Sequence, residues 1–230
     1  FCYGDGLFET LRSNNGKVFR LEHHINRLFK SLSQVLIELP MTRLELMRVV
    51  QETISRNKFK NAILRLAVTR GDTQSNIQID SNVPPTLVIN IRPFVPLAKS
   101  VYKKGIRIML FQERANRTNG LENRLKSCNY LSNILIKEIS DRKNYMEGIV
   151  VDPDFGVTEG TTSNIFIVKQ GILKTPPLSP YVLEGVTRQV VLEIAKEHKI
   201  PFLAEQISTD DILKADEVFI TNSGIEIVPV

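Results

Sequence analysis

The stretch "VVDPDFGVTEGTTSNIFIV" (150–168) constrains the fold more than any other. Two apolar, β-branched runs flank a short segment of Gly, Thr, Ser, Asp and Pro. A parallel connection needs a crossover of a dozen or more residues, usually a helix, and there is no room for one here. Strand–turn–strand joins of this kind favour mixed sheets over a purely parallel one. Elsewhere strands and helices interleave. "AILRLAVT" (62–69) and "TLVINIRP" (86–93) are β-branched, partly alternating and bounded by Gly or Pro. "GIRIMLFQ" (105–112), "GIVVD" (148–152), "NIFIVK" (164–169) and "EVFIT" (217–221) read as further strands. Over 21–37 the residues Leu21, Ile25, Leu28, Phe29, Leu32, Val35 and Leu36 recur with the 3.6 period of an amphipathic helix. "YLSNILIKEIS" (130–140) and 187–198 predict two more helices. "PFVPLAKS" (93–100) has two prolines and no period, the mark of a linker. The pattern predicts an α/β protein (α+β mixed sheets) in two domains, 1–94 and 104–230, joined through 95–103.

Charge and cysteine content narrow the function. The net charge of +5 is scattered among Asp and Glu, and the chain has no Trp, so neither a basic block nor an aromatic-rich basic face points to nucleic acid. No apolar run approaches the ~20 residues that cross a bilayer, so no membrane partner is expected. Cys2 and Cys128 form no disulfide framework and no metal spacing, which suits a reducing cytoplasm. Adjacent His23 and His24 point to different helix faces and read as solvated or capping residues. The Phe1 start leaves any leader out of view.

Four polar patches stand where plain loops are expected. "YGDGLFETLR" (3–12) places two glycines before a strand-like run. "TEGTTSN" (158–164) offers a carboxylate among hydroxyls and amides. "LEGVTR" (183–188) opens a helix, and "TNSGIE" (221–226) follows an apolar strand. The last two suit a phosphate dianion through backbone N–H groups and hydroxyls. No GxxxxGK[ST] or strand-to-helix GxGxxG occurs, which favours a small phosphorylated ligand over a nucleotide. With a lysine in "NRLKSCNYLSN" (123–133), the set meets the needs of pyridoxal phosphate: a lysine for a Schiff base, an acid facing the ring nitrogen and a phosphate pocket.

These segments, with "FRLEHHINRLFKS" (19–31), occur in the order found in the fold-type IV pyridoxal-phosphate enzymes, and the chain resembles that class along its whole length. The class, also called the class IV aminotransferases, includes branched-chain and D-amino-acid aminotransferases and aminodeoxychorismate lyases. The resemblance implies a two-domain, D-amino-acid-aminotransferase-like fold with the cofactor-binding domain at 104–230. It implies that Lys126 is the Schiff-base lysine, that Tyr130 lies near the cofactor's phenolic oxygen and that Glu159 pairs with the pyridinium nitrogen. Arg27, which sits off the apolar helix stripe, matches the phosphate-binding arginine. Val186 and Thr187 match contacts at the helix start, and Asn222, Ser223 and Gly224 the second phosphate loop. Relatives extend beyond both ends, so the chain reads as trimmed at each.

The family pattern also bears on the substrate. "VTRGDTQSNIQ" (68–78) lacks the Arg-x-His pair of the D-amino-acid enzymes, and "FETLR" with "TNSGIE" departs from the branched-chain motifs. The wording of the motifs is closer to aminodeoxychorismate lyases and their unassigned neighbours. The reading is a cytoplasmic aminotransferase acting on small-molecule amino acid and oxo acid substrates, with no metal, and the resemblance implies a homodimer. The alternatives are the lyase, giving 4-aminobenzoate and pyruvate, and an inactive cofactor-binding or interaction protein.

Overall fold

The computed structural model describes residues 3–72, 78–80, 82–112, 125–179 and 181–230. Cys2 and the "TQSNI" part of the 68–78 loop, both used in the sequence reading, lie outside them. The chain forms two compact units, Phe1–Val95 with Leu125–Asn129, and Pro96–Arg124 with Tyr130–Val230.

In the first unit, β1 (Gly6–Asn14), β2 (Lys17–Val18), β3 (Ala62–Thr69) and β4 (Thr86–Pro93) form an antiparallel sheet in the order β2-β1-β3-β4. Two helices, α1 (Leu21–Gln34) and α2 (Arg43–Asn57), lie between β2 and β3 in sequence. On β3 the alternation predicted from "AILRLAVT" is strict: Ala62, Leu64, Leu66 and Val68 are buried and Arg65 between them is exposed. They pack with Leu7 and Leu11 of β1, Ile25, Leu28 and Leu32 of α1, and Leu46, Val50 and Ile54 of α2. The helix predicted over 21–37 ends at Gln34, because Leu36 takes a left-handed conformation (φ 55°). The sequence reading missed α2. Its signals are local: Thr42 and Glu45 form a reciprocal capping box, and Leu46, Val50 and Ile54 follow at four-residue spacing.

The second unit begins with α3 (Lys99–Lys104), so the predicted linker carries a helix. Val101 and Tyr102 pack against a hydrophobic cluster, which is why the segment orders despite Pro93 and Pro96. Next come β5 (Ile108–Gln112), α4 (Leu131–Arg142), β6 (Glu147–Asp152), β7 (Gly156–Gly160), β8 (Asn164–Lys169) and β9 (Ile172–Thr175). The chain ends with α5 (Val186–Glu197), β10 (Phe202–Ala204), α6 (Thr209–Leu213), β11 (Glu217–Asn222) and β12 (Glu226–Pro229). Two mixed sheets result, β5-β6-β7 and β10-β9-β8-β11-β12. β5 is parallel to β6 and β10 to β9, and the other pairs are antiparallel, as the short joins require. Ile149, Val151 and Val157 of one sheet share a core with Ile165, Ile167, Ile220 and Val228 of the other. On β8, Phe166 faces the opposite way, stacks on Phe219 (5.0 Å) and meets Val191 and Ala195 of α5. Burial on both faces explains the unbroken apolar run of "NIFIV".

Gly148 sets how closely α4 crosses β6. A Cβ there would stand 2.5 Å from Ile136 Cγ2 and 2.8 Å from Ser140 Oγ. Gly148→Ala is expected to lower unfolding free energy by about 1–3 kcal/mol, the usual cost of overpacking, measurable by urea denaturation. Unchanged stability would mean that α4 moves without penalty.

Candidate active site

On β1 alternate residues share a face, so Glu9 points the same way as Leu7 and Leu11, into the core. A carboxylate 1% exposed must be given donors in place of water. α1 provides them. Arg27 donates through Nε to Glu9 Oε1 and through Nη2 to Oε2, both at 2.7 Å, and His24 Nδ1 lies 2.8 Å from Oε2. Because a carboxylate only accepts, the His24 proton belongs on Nδ1. Burial pushes the Glu9 carboxyl up, but the Arg27 charge and the hydrogen bonds from His24 and Arg27 together outweigh it and hold the pKa at about 2. Burial lowers the His24 pKa against the pull of Glu9, so the ring is neutral at pH 7. The expectation that both histidines are solvated or capping is corrected at His24. It is 1% exposed, the α1 N-cap is Arg20, and the ring turns inward because Glu9 needs a further donor. Arg27 keeps its place off the apolar stripe, but two of its nitrogens are committed to Glu9.

Leu125–Asn129 belongs to this unit as an added piece of the β1 edge. Phe8 N–H donates to Lys126 C=O and Cys128 N–H to Gly6 C=O, both at 2.8 Å, around an antiparallel bridge from Leu7 to Ser127. Gly4 (φ 67°) lets the chain pass Asn129, whose side chain fills the space a Cβ would need. The backbone of Lys126 is thus fixed, and its Nζ lies 4.7 Å from the centre of the Phe8 ring. Arg65 stacks on the same ring at 4.9 Å and Arg12 on Phe94 at 3.9 Å. This cationic face was missed in the sequence. The alternation of "FETLR" and "ILRL" carries its signal, placing Phe8, Arg12 and Arg65 opposite the core positions.

In the second unit, Glu159 lies within β7 rather than in the turn that follows it. Its Oε2 accepts from Leu183 N–H at 2.8 Å and from Asn164 Nδ2 at 3.3 Å. Asn164 also donates to Leu183 C=O at 3.0 Å, and its Oδ1 occupies the space where a Cβ on Gly185 would project. In the β8–β11 register it sits opposite Thr221. One asparagine, unassigned in the sequence reading, therefore gathers Glu159, the α5 start at Val186 and Thr187, and the end of β11 before Asn222–Ser223–Gly224. Asn222 Oδ1 accepts from the N–H groups of Gly224 (2.8 Å) and Ile225 (2.9 Å), so these groups close the turn upon itself.

Tyr130 and Asn133, at the start of α4, both reach Thr161 C=O, at 3.1 and 2.8 Å. Thr161 is held from behind by buried Glu147, which accepts from Thr161 N–H (3.2 Å) and Oγ1 (2.5 Å), Thr162 Oγ1 (3.1 Å), Ser163 Oγ (3.0 Å) and Gly148 N–H (3.0 Å).

A model of the family described as class IV aminotransferases matches residues 6–230. The chain belongs to this family. It is 40% identical over 228 residues to a putative branched-chain-amino-acid aminotransferase of Methanocaldococcus jannaschii, covering 99% of this chain and 78% of that one. A D-alanine aminotransferase of Bacillus licheniformis is 32% identical, with 100% and 79% covered. The crystal structure of a 4-amino-4-deoxychorismate lyase from Pseudomonas aeruginosa superimposes with a TM-score of 0.87 at 28% identity, with 100% and 83% covered. The motif wording favours the lyases, whereas identity along the chain is higher to these two aminotransferases. Class IV aminotransferases use pyridoxal phosphate.

The second unit has features that fit the cofactor's phosphate. The α5 N-cap, Gly185, offers no side chain to the first-turn N–H groups, which leaves a helix N-terminus able to take an anion. Buried Thr221 Oγ1 and Arg188 Nε have no hydrogen-bond partner among the described residues. Burial lowers the Arg188 pKa while the charges of Glu184 and Glu159 pull it back up.

The Glu9 cluster makes a pH prediction. Its folded pKa lies below the ordinary 4.5, so its stabilisation is complete above that value and is lost as pH falls towards about 2. The shift corresponds to about 3 kcal/mol at neutral pH. Glu9→Gln should be less stable than the parent at pH 7, with the gap narrowing below pH 4.5. A gap independent of pH, measured by denaturant titration, would refute the ion-pair account.

Proposed function

We propose that this class IV aminotransferase moves an amino group between an amino acid and a 2-oxo acid, with Lys126 as the covalent anchor of pyridoxal phosphate. The observation that carries the reading is the pair of backbone bonds, through Lys126 C=O and Cys128 N–H, that ties the segment carrying Lys126 to the edge of β1. A surface lysine needs no such support, whereas a lysine that must return to one reacting atom does.

When bound, pyridoxal phosphate supplies an aldehyde that takes up amines and a ring that withdraws electrons from the substrate Cα. The chain's own groups do the rest. Glu159, kept acceptor-ready by Leu183 N–H and Asn164, holds a proton on the ring nitrogen. Val186 and Thr187 at the α5 start and Ser223 in the second loop bind the phosphate, with Asn222 and Gly224 shaping that loop. Arg27, aimed by Glu9, serves in this proposal as a phosphate-binding cation. Tyr130 meets the phenolic oxygen. Lys126 Nζ would hold the cofactor through its aldehyde and would serve as the general base for the substrate Cα proton. The cationic face of Arg12 and Arg65 suits the carboxylate of an amino or oxo acid.

Among the described residues no helix is long and apolar enough to cross a membrane. We propose a cytoplasmic homodimer, the pairing supported by the exposed Leu131, Ile134, Leu135 and Ile139 along one side of α4.

Lys126→Ala is expected to lose the visible band of lysine-bound cofactor and all turnover while its circular dichroism stays that of the parent. Retained turnover would overturn the assignment. Glu159→Gln should still bind cofactor, with turnover reduced at least about a hundredfold. A rate near that of the parent would give the ring-nitrogen role to another group.

A further inference from the structure

Tyr130 has one hydroxyl proton, and the structure commits it to Thr161 C=O. While it stays there, the phenol oxygen can only accept from any other neighbour. An oxygen that only accepts does not stabilise an anionic oxygen beside it. The proton must therefore be able to leave Thr161, and the cost depends on what the carbonyl then retains. Thr161 is 1% exposed, so water does not replace the missing donor.

Asn133 removes that cost. Its Nδ2 donates to the same carbonyl at 2.8 Å, shorter than the 3.1 Å of the phenol. One turn of helix separates the two donors, so α4 presents both on one side. Glu147, 3% exposed, fixes the carbonyl itself by accepting from Thr161 N–H and Oγ1 and from the next two hydroxyls. Among the described residues it is the charged group hydrogen-bonded to this turn, and five donor groups surround its oxygens.

We propose that Asn133 is a positioning residue that keeps Thr161 C=O hydrogen-bonded while the Tyr130 proton turns to an anionic oxygen bound next to it. The inference rests on the proposed place of Tyr130 beside the cofactor's phenolic oxygen. Asn133 touches neither cofactor nor substrate in this role; it acts through Thr161 and Tyr130. Glu147 keeps the acceptor still.

The test is a pH titration of the visible band of the cofactor-loaded enzyme, in the parent and in Tyr130→Phe, Asn133→Leu, Asn133→Gln and the double variant Tyr130→Phe/Asn133→Leu. A phenol that donates to the cofactor oxygen favours its anion, so Tyr130→Phe should raise the midpoint. Asn133→Leu should raise it too, by up to about one pH unit, a tenfold change in the equilibrium for one carbonyl left without a donor. Asn133→Gln, which keeps an amide donor, should recover part of the shift, and the double variant should match Tyr130→Phe alone. In cofactor-free protein labelled with 13C-tyrosine, Asn133→Leu should raise the ionisation pH of Tyr130, because its proton becomes the sole side-chain donor to the carbonyl. A midpoint moved by Tyr130→Phe but not by Asn133→Leu overturns the inference and leaves Tyr130 in place. If neither variant moves it, the placing of Tyr130 falls as well. Additive shifts in the double variant would show that Asn133 acts by another route.

Discussion

A carboxylate removed from water must be surrounded by donors, or it costs several kcal/mol and tends to neutralise instead. The local geometry in both units follows from this constraint. Glu9 is placed in the core by the alternation of β1, and Arg27 and His24 are turned inward to meet it. Glu147 lies buried on β6, and the turn after β7 wraps its backbone and hydroxyl groups around it. Glu159, half-buried, draws in Asn164 and the Leu183 backbone, and so fixes the approach to α5. Each of these carboxyl groups thereby becomes the anchor of a polar segment that apolar packing alone would leave loose.

The division between packing and chemistry follows the same line. Strict alternation on β3 and burial of both faces of β8 make rigid sheets, and the candidate groups sit at their edges and ends. Lys126 is on an added edge segment of β1, Glu159 near the end of β7, and Val186 and Thr187 at a helix start. These are positions where backbone groups and short polar side chains become available without breaking a core.

Much of this was legible in the sequence, because it depends on period and on local turn chemistry. The strands over 62–69, 86–93 and 164–169 coincide with β3, β4 and β8. The mixed sheets follow from joins too short for crossovers. Less legible were effects that depend on a partner distant in sequence. The inward turn of His24 depends on Glu9 fifteen residues earlier, and the role of Asn164 depends on Leu183 and Gly185. The linker helix forms because Val101 and Tyr102 find a core that no local window contains. α2 is a different case, since its capping box and four-residue spacing were there to be read.

The most direct test is the visible spectrum of the purified protein supplied with pyridoxal phosphate, recorded before and after addition of a panel of L- and D-amino acids. The account predicts a visible band that particular amino acids bleach and that a 2-oxo acid restores, which also names the donors and their enantiomer. A band that no amino acid alters would contradict the aminotransferase reading and favour the lyase. A protein that never develops the band would contradict the role given to Lys126.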